Sequence, residues 1–169
     1  MDSRIFLIGF MGSGKSTLGA QLARRIDYQF VDMDLLIEET AEMSVPEIFD
    51  EHGEEVFRKW EHDILLELCQ SEKIVISTGG GAPCHSGNMD LMNSNGCTIY
   101  LKLSPEALLS RLIRSRTERP LIKGKSETEL LDFIRSLLEK REKYYMLASS
   151  IVDGFNVKTE ELVRIVSDS

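Results

Sequence analysis

The sequence predicts an α/β fold, a mostly parallel sheet with helices on both faces. Three observations carry this. Short apolar runs alternate with segments of helical periodicity along the whole chain. The first run, "RIFLIG", is short, apolar and ended by glycine, which reads as a buried strand. No repeat, low-complexity tract or linker divides the 169 residues, which suit one domain with a proper core.

In order, the elements are these. Residues 4–9 form the first strand. "KSTLGAQLARRI" (15–26) is a helix, with Leu18, Leu22 and Ile26 at helical spacing. "QFVD" (29–32) is a short second strand. Residues 34–51 read as helical but interrupted, with Ser44 able to cap a helix whose first turn holds Pro46. Gly53 breaks this before a long amphipathic helix over 54–70. "IVIST" (74–78) is a third strand, 87–95 a short helix ending at Asn95-Gly96, and "CTIYLKL" (97–103) a fourth strand. Ser104 caps a helix with Pro105 at its first position. Ser126 and Glu129 make a capping box for a helix over 126–148. "SSIVD" (149–153) is a fifth strand, and a last helix closes the chain.

Bulk properties narrow the function classes. No apolar run nears the roughly 18 residues of a membrane span, and the start of the chain reads as a strand, not a signal peptide. Cys69, Cys84 and Cys97 are odd in number and show no CxxC spacing. A disulfide framework and a thiolate zinc site are therefore not expected, and a reducing cytoplasm is. His52, His62 and His85 lack metal-ligand spacing. A net charge of −8 disfavours a nucleic-acid surface. The charge is unevenly spread. Asp32 to Phe57 contains ten acids and no Lys or Arg, the pattern of a solvated face. Arg114 to Ser126 contains five basic residues and one acid, together with Pro and Gly. That second run suits a mobile loop that meets phosphate.

"GFMGSGKST" (9–17) matches the G-x-x-x-x-G-K-[ST] pattern, placed between a strand and a helix as a P-loop must be. Gly12 and Gly14 let successive N–H groups turn toward phosphate oxygens, Ser13 and Thr17 lie in the same cradle, and the helix N-terminus adds positive character. Lys15 reaches the outer phosphates and Ser16 can ligate Mg²⁺. The guanine-reading Asn-Lys-x-Asp of switch GTPases is absent from the sequence. The third strand ends in Ser and Thr where motor-type ATPases carry Asp, so the magnesium-side carboxylate must come from elsewhere. "VDMD" supplies Asp32 and Asp34 at the ligand edge of an α/β sheet. One would hold Mg²⁺ through water and the other would face an acceptor hydroxyl; Asp34 as a plain helix cap is the alternative. Arg58, with Glu61 three residues on, and Arg141 are candidates to fork onto a carboxylate. "TGGGAP" brings three glycines together, where something must approach the backbone closely.

The combination resembles shikimate kinase over nearly the whole chain. The matching pieces, in order, are "GFMGSGKST", "VDMD", "IFDEHGEEVFRKWE", "STGGGAP", "ERPLI" and "KREKYY". The resemblance implies a P-loop kinase, nucleoside-monophosphate-kinase-like fold: a three-layer sandwich with a five-stranded parallel sheet. It implies ATP- and Mg²⁺-dependent phosphorylation of the 3-hydroxyl of shikimate, in aromatic amino-acid biosynthesis. Within one kinase domain, it places an acceptor-binding region at about 33–62 and a lid at about 114–126. By this resemblance Asp34 contacts the acceptor hydroxyls and is the candidate base. Arg58 and Arg141 bind the carboxylate, and Gly79, Gly80 and Gly81 offer backbone to a flat ring. Arg119, in the lid, reaches ATP phosphates and substrate, and with Lys15 supplies charge to the transferred group. Ser16 serves Mg²⁺ directly and Asp32 through water. Many relatives carry Arg or Gln after the fifth strand; this chain reads "DGFNVKTEE", which leaves Arg111, Arg114 and Asn156 as adenine candidates. A cytoplasmic monomer with no membrane or nucleic-acid partner is expected. A gluconate kinase of the same fold and a nucleotide-driven binding module are the rival readings. The triple glycine and the Arg58/Glu61 segment weigh against the first, the second anion site against the other.

Overall fold

The computed structural model describes residues 3–115 and 123–168. Five strands form one all-parallel sheet: β1 (Arg4–Ile8), β2 (Gln29–Asp32), β3 (Ile74–Ser77), β4 (Cys97–Lys102) and β5 (Ser150–Asp153). Their order across the sheet is β2-β3-β1-β4-β5. The helices are α1 (Lys15–Ile26), α2 (Met33–Ala41), α3 (Val45–Leu68), α4 (Asn88–Asn95), α5 (Pro105–Arg114), α6 (Glu127–Tyr145) and α7 (Thr159–Ser167). A 3₁₀ turn, Ala82–Cys84, follows the triple glycine.

The three layers explain why the strands are apolar on both faces. Successive side chains of a strand point to opposite sides. Ile5 and Leu7 of β1 pack with Leu22 of α1 and with Leu162 and Val166 of α7. Phe6 and Ile8 point the other way, into a larger cluster with Ile64 and Leu65 of α3 and Ile134 and Leu138 of α6. All four β1 side chains are fully buried, each stabilising the fold by about 1.5–3 kcal/mol. Among the described residues no helix is long and apolar enough to cross a membrane.

The caps fall where the sequence places them. Ser44 and Glu47 form a capping box at α3, Ser126 and Glu129 another at α6, and Ser104 caps α5 by accepting from Ala107 N at 3.1 Å. Both breaks that the sequence predicts are present: α3 starts afresh after Ser44, and Gly53, at φ 81° and ψ 168°, is non-helical and kinks the run Val45–Leu68 into two helical stretches. The residue that caps α2 is Asp32, not Asp34. The register sets three strand ends side by side: Leu7 pairs with Ser77, and Ser77 with Asp32. The loops leaving β1, β2 and β3 therefore emerge together at the carboxyl edge, where open α/β sheets bind ligands.

Candidate functional site

The loop after β1 is shaped by glycines that only glycine suits. Gly12 (φ 79°) and Gly14 (φ 97°) are in the left-handed region. Gly14 is also the residue before α1, so the helix opens directly beneath the loop. Lys15 is nearly buried, and its Nζ donates to the carbonyls of Gly9 (2.8 Å) and Phe10 (3.0 Å), which lays it along the inside of the loop. Ser13 is fully buried, and its Oγ has no hydrogen-bond partner. Thr17 is exposed on the first turn of α1. Arg111 of α5 donates to Ser13 O at 2.9 Å and to Gly154 O at 3.0 Å, tying this loop to the turn after β5.

The short β2 ends beside this loop. Asp32 uses its two oxygens differently. Oδ1 accepts from Asp34 N at 3.1 Å and Leu35 N at 3.4 Å, which starts α2; Oδ2 accepts the Ser16 hydroxyl in a short bond. Ser77 Oγ lies 3.4 Å from Ser16 Oγ. Hard oxygen donors thus converge at the mouth of the P-loop. Mg²⁺ takes oxygen ligands, few of them from the protein when phosphates supply the rest, so Ser16 and Asp32 fit it.

Asp34 sits in the first turn of α2, facing the glycine run. Burial pushes its carboxyl above the ordinary value, with Asp32 adding to this and Lys15 and Arg58 opposing it. Across from it, Glu61 of α3 is 1% exposed. Its Oε1 accepts from Arg58 Nη1 at 2.7 Å, as the three-residue spacing predicts, while its Oε2 has no hydrogen-bond partner. Burial raises the Glu61 carboxyl too, Arg58 pulls it down, and Asp34 raises it further. Arg141 of α6 lies over the Phe10 ring at 5.8 Å, which places it at the P-loop as well.

The three glycines after β3 explain this convergence. None of them has a positive φ, so the turn does not demand them; proximity does. A Cβ on Gly79 would stand 2.8 Å from Asp34 Oδ1 and 2.9 Å from Glu61 Oε2. One on Gly80 would meet Arg141 Nη1 at 3.1 Å, and one on Gly81 would meet the Arg58 guanidinium at 2.5–2.9 Å. Each glycine is the floor under a different side chain. The same Cβ on Gly80 would also lie 3.5 Å from Gly9 O and Met11 N, so this floor rests on the P-loop. Thr78 anchors its near end, with N and Oγ1 both donating to Leu7 O.

Sequence reasoning missed Ser77, Phe10 and Tyr145 in this assembly. Only Tyr145 left a signal, its four-residue spacing from Arg141 on one helix face. Of the adenine candidates, Arg111 is at the P-loop, Arg114 is exposed, and Asn156 bonds Asp153 at 2.9 Å. Cys84 is inert in character, its thiol pushed by burial up to about 11. Arg119 and the centre of the expected lid lie outside the described residues.

A P-loop set against a buried acid and two arginines defines a phosphotransferase with an anionic acceptor. Comparison with known proteins makes this particular. The shikimate kinase family model matches residues 11–168. A shikimate kinase of Parabacteroides distasonis is 45% identical over 166 residues, covering 98% of this chain and 96% of its own. The 1.7 Å crystal structure of shikimate kinase from Bacteroides thetaiotaomicron superposes with a TM-score of 0.92 at 42% identity, covering 98% of this chain and 96% of that one. A solved structure of shikimate kinase from Acinetobacter baumannii in complex with shikimate gives a TM-score of 0.87 at 30% identity, covering 99% of this chain and 92% of that one. The chain belongs to the shikimate kinase family. Its reaction is the family's: the terminal phosphoryl group of ATP, with Mg²⁺, passes to the 3-hydroxyl of shikimate, a step of aromatic amino-acid biosynthesis.

Proposed function

We propose that this reaction is carried out by the residues gathered on the glycine floor and the P-loop. Lys15, with the N–H groups of Gly12, Ser13, Gly14, Ser16 and Thr17, holds the ATP phosphates. To do so, Lys15 exchanges the carbonyls of Gly9 and Phe10 for phosphate oxygens. Ser16 would hold Mg²⁺ directly and Asp32 through water, and the bound ion would supply charge neutralisation for the transferred group. Arg119 closes over the phosphates from a lid at about 114–126, and Arg111, already on the P-loop, is the residue that meets adenine. The acceptor-binding region is about 33–62 together with the glycine floor. Arg58 and Arg141 fork onto the shikimate carboxylate, and Asp34 accepts a hydrogen bond from the attacking hydroxyl and takes its proton late in the transfer.

One observation carries this reading. Asp34, Arg141 and Arg58 each lie against a different glycine of the triple run, beside the P-loop. A base and two carboxylate-binding cations are thereby held on one surface within reach of the nucleotide. Gly79, Gly80 and Gly81 offer backbone to the flat ring of the acceptor between these side chains. The test is Asp34→Asn in a coupled ADP-release assay. The amide keeps the shape and removes the charge. We expect kcat to fall about 100-fold or more; a near wild-type kcat would remove Asp34 from the chemistry. Gluconate and a no-acceptor blank, run alongside, should give no turnover.

We also infer that the chain works as a single kinase domain, a monomer in the cytoplasm with no membrane or nucleic-acid partner. Three cysteines without pairing and a net charge of −8 support this.

A further inference from the structure

Tyr145, the last residue of α6, is fully buried. Its ring packs on Tyr100 of β4 with centroids 5.0 Å apart, so the core fixes where its hydroxyl stands. That hydroxyl donates to the Gly80 carbonyl at 2.5 Å. Arg141 lies one turn earlier on the same helix face. Its guanidinium lies near enough to act on the same hydroxyl, and its Nη1 would stand 3.1 Å from a Cβ on Gly80.

We infer that Tyr145 is a positioning residue for acceptor binding, its hydroxyl fastening Gly80 and Arg141 to one another so that the guanidinium is aimed before the acceptor carboxylate arrives. The inference rests on the reading of Arg141 as a carboxylate ligand. A phenol suits the task because it donates and accepts at one atom. It gives the floor a donor for its carbonyl and gives Arg141 an acceptor that is not a carboxylate. An acid at that place would neutralise the charge the acceptor needs. A guanidinium aimed before binding serves ground and transition states alike, so loss of the contact weakens both.

The experiment compares Tyr145→Phe, Tyr100→Phe, Arg141→Lys and the double variant Tyr145→Phe/Arg141→Lys by steady-state kinetics in both substrates. Tyr145→Phe keeps the ring in the core. It should raise the shikimate KM about 5- to 10-fold, with kcat and the ATP KM changed less than about twofold. Tyr100→Phe removes the hydroxyl of the other ring of the pair, which faces Glu142, and should leave all three constants within about twofold. The double variant should bind shikimate little worse than Arg141→Lys alone, since the two residues act as one. If Tyr145→Phe raised both KM values alike, or if Tyr100→Phe matched it, the hydroxyl would be a core fastening only and the inference would fall. A raised shikimate KM in Arg141→Lys but not in Tyr145→Phe would overturn the inference and keep the reading. No rise in Arg141→Lys would overturn both.

Discussion

The loop after β1 and the turn after β3 are both glycine-rich and both lie at the same sheet edge, and glycine is there for opposite reasons. Gly12 and Gly14 are set by conformation: their φ angles of 79° and 97° are strained for any other residue. Gly79, Gly80 and Gly81 have backbone that any residue adopts, and they are set by what lies on them. The difference predicts how each run fails. Replacing a conformational glycine strains the chain itself. Replacing a floor glycine only pushes away the far ends of Asp34, Glu61, Arg141 or Arg58. Those ends move cheaply, so folding survives, but on the proposed reading their positions are the function.

The largest contrast is between Gly14→Ala and Gly79→Ala. Gly14→Ala costs about 1–3 kcal/mol of backbone strain and should lower the Tm by several degrees while raising the ATP KM about 10-fold or more. Gly79→Ala should leave the Tm within about 2 °C and cut kcat about 100-fold, because it displaces Asp34. Equal loss of Tm in calorimetry of the two variants would erase the distinction. A smaller effect grades the floor itself. Gly81→Ala, which overlaps Arg58 most severely, should raise the shikimate KM about 10-fold, against about 3-fold for Gly80→Ala, with the ATP KM unmoved in both. A larger ATP than shikimate effect for Gly80→Ala would mean that its P-loop contact, not its Arg141 contact, sets its identity.

The smallest effect concerns the charge that the floor supports. The Asp34 carboxyl is raised above its ordinary value of 3.8 by burial. A raised pKa means that the folded chain binds the proton more tightly than the unfolded chain does. Stability from this group is present below the ordinary value and lost as pH rises through the folded value. Asp34→Asn does not titrate there. It should melt above wild type at pH 8, with the gap closing as pH falls toward the ordinary carboxylate value. A gap independent of pH would assign the gain to the amide's packing instead of the lost charge.

The same contrast separates what the sequence discloses from what it hides. A conformational glycine announces itself locally: Gly14-Lys15-Ser16 after "RIFLIG" is readable because strand, loop and helix are neighbours in the chain. So are the capping residues Ser44, Ser104 and Ser126, and Glu61 at i+3 from Arg58. The floor glycines are explained by side chains from α2, α3 and α6, and no local pattern gives the distance from Gly81 to Arg58. Their function is visible only as an oddity of composition. Asp32 and Asp34 show a middle case. Their place at the sheet edge was legible, but which of them caps α2 depended on where β2 stops. That is set by its register with β3, a contact far along the chain.

Asp32 carries a consequence for redesign. Its Oδ1 starts the helix that bears Asp34, and its Oδ2 takes the Ser16 hydroxyl of the nucleotide loop. The proposed acceptor module is therefore not a cassette plugged in beside a standard engine; the two share a bolt. An engineer exchanging α2 and α3 for a segment with another taste in acceptors must make the splice after this aspartate. A splice before it would detune the nucleotide loop along with the choice of acceptor.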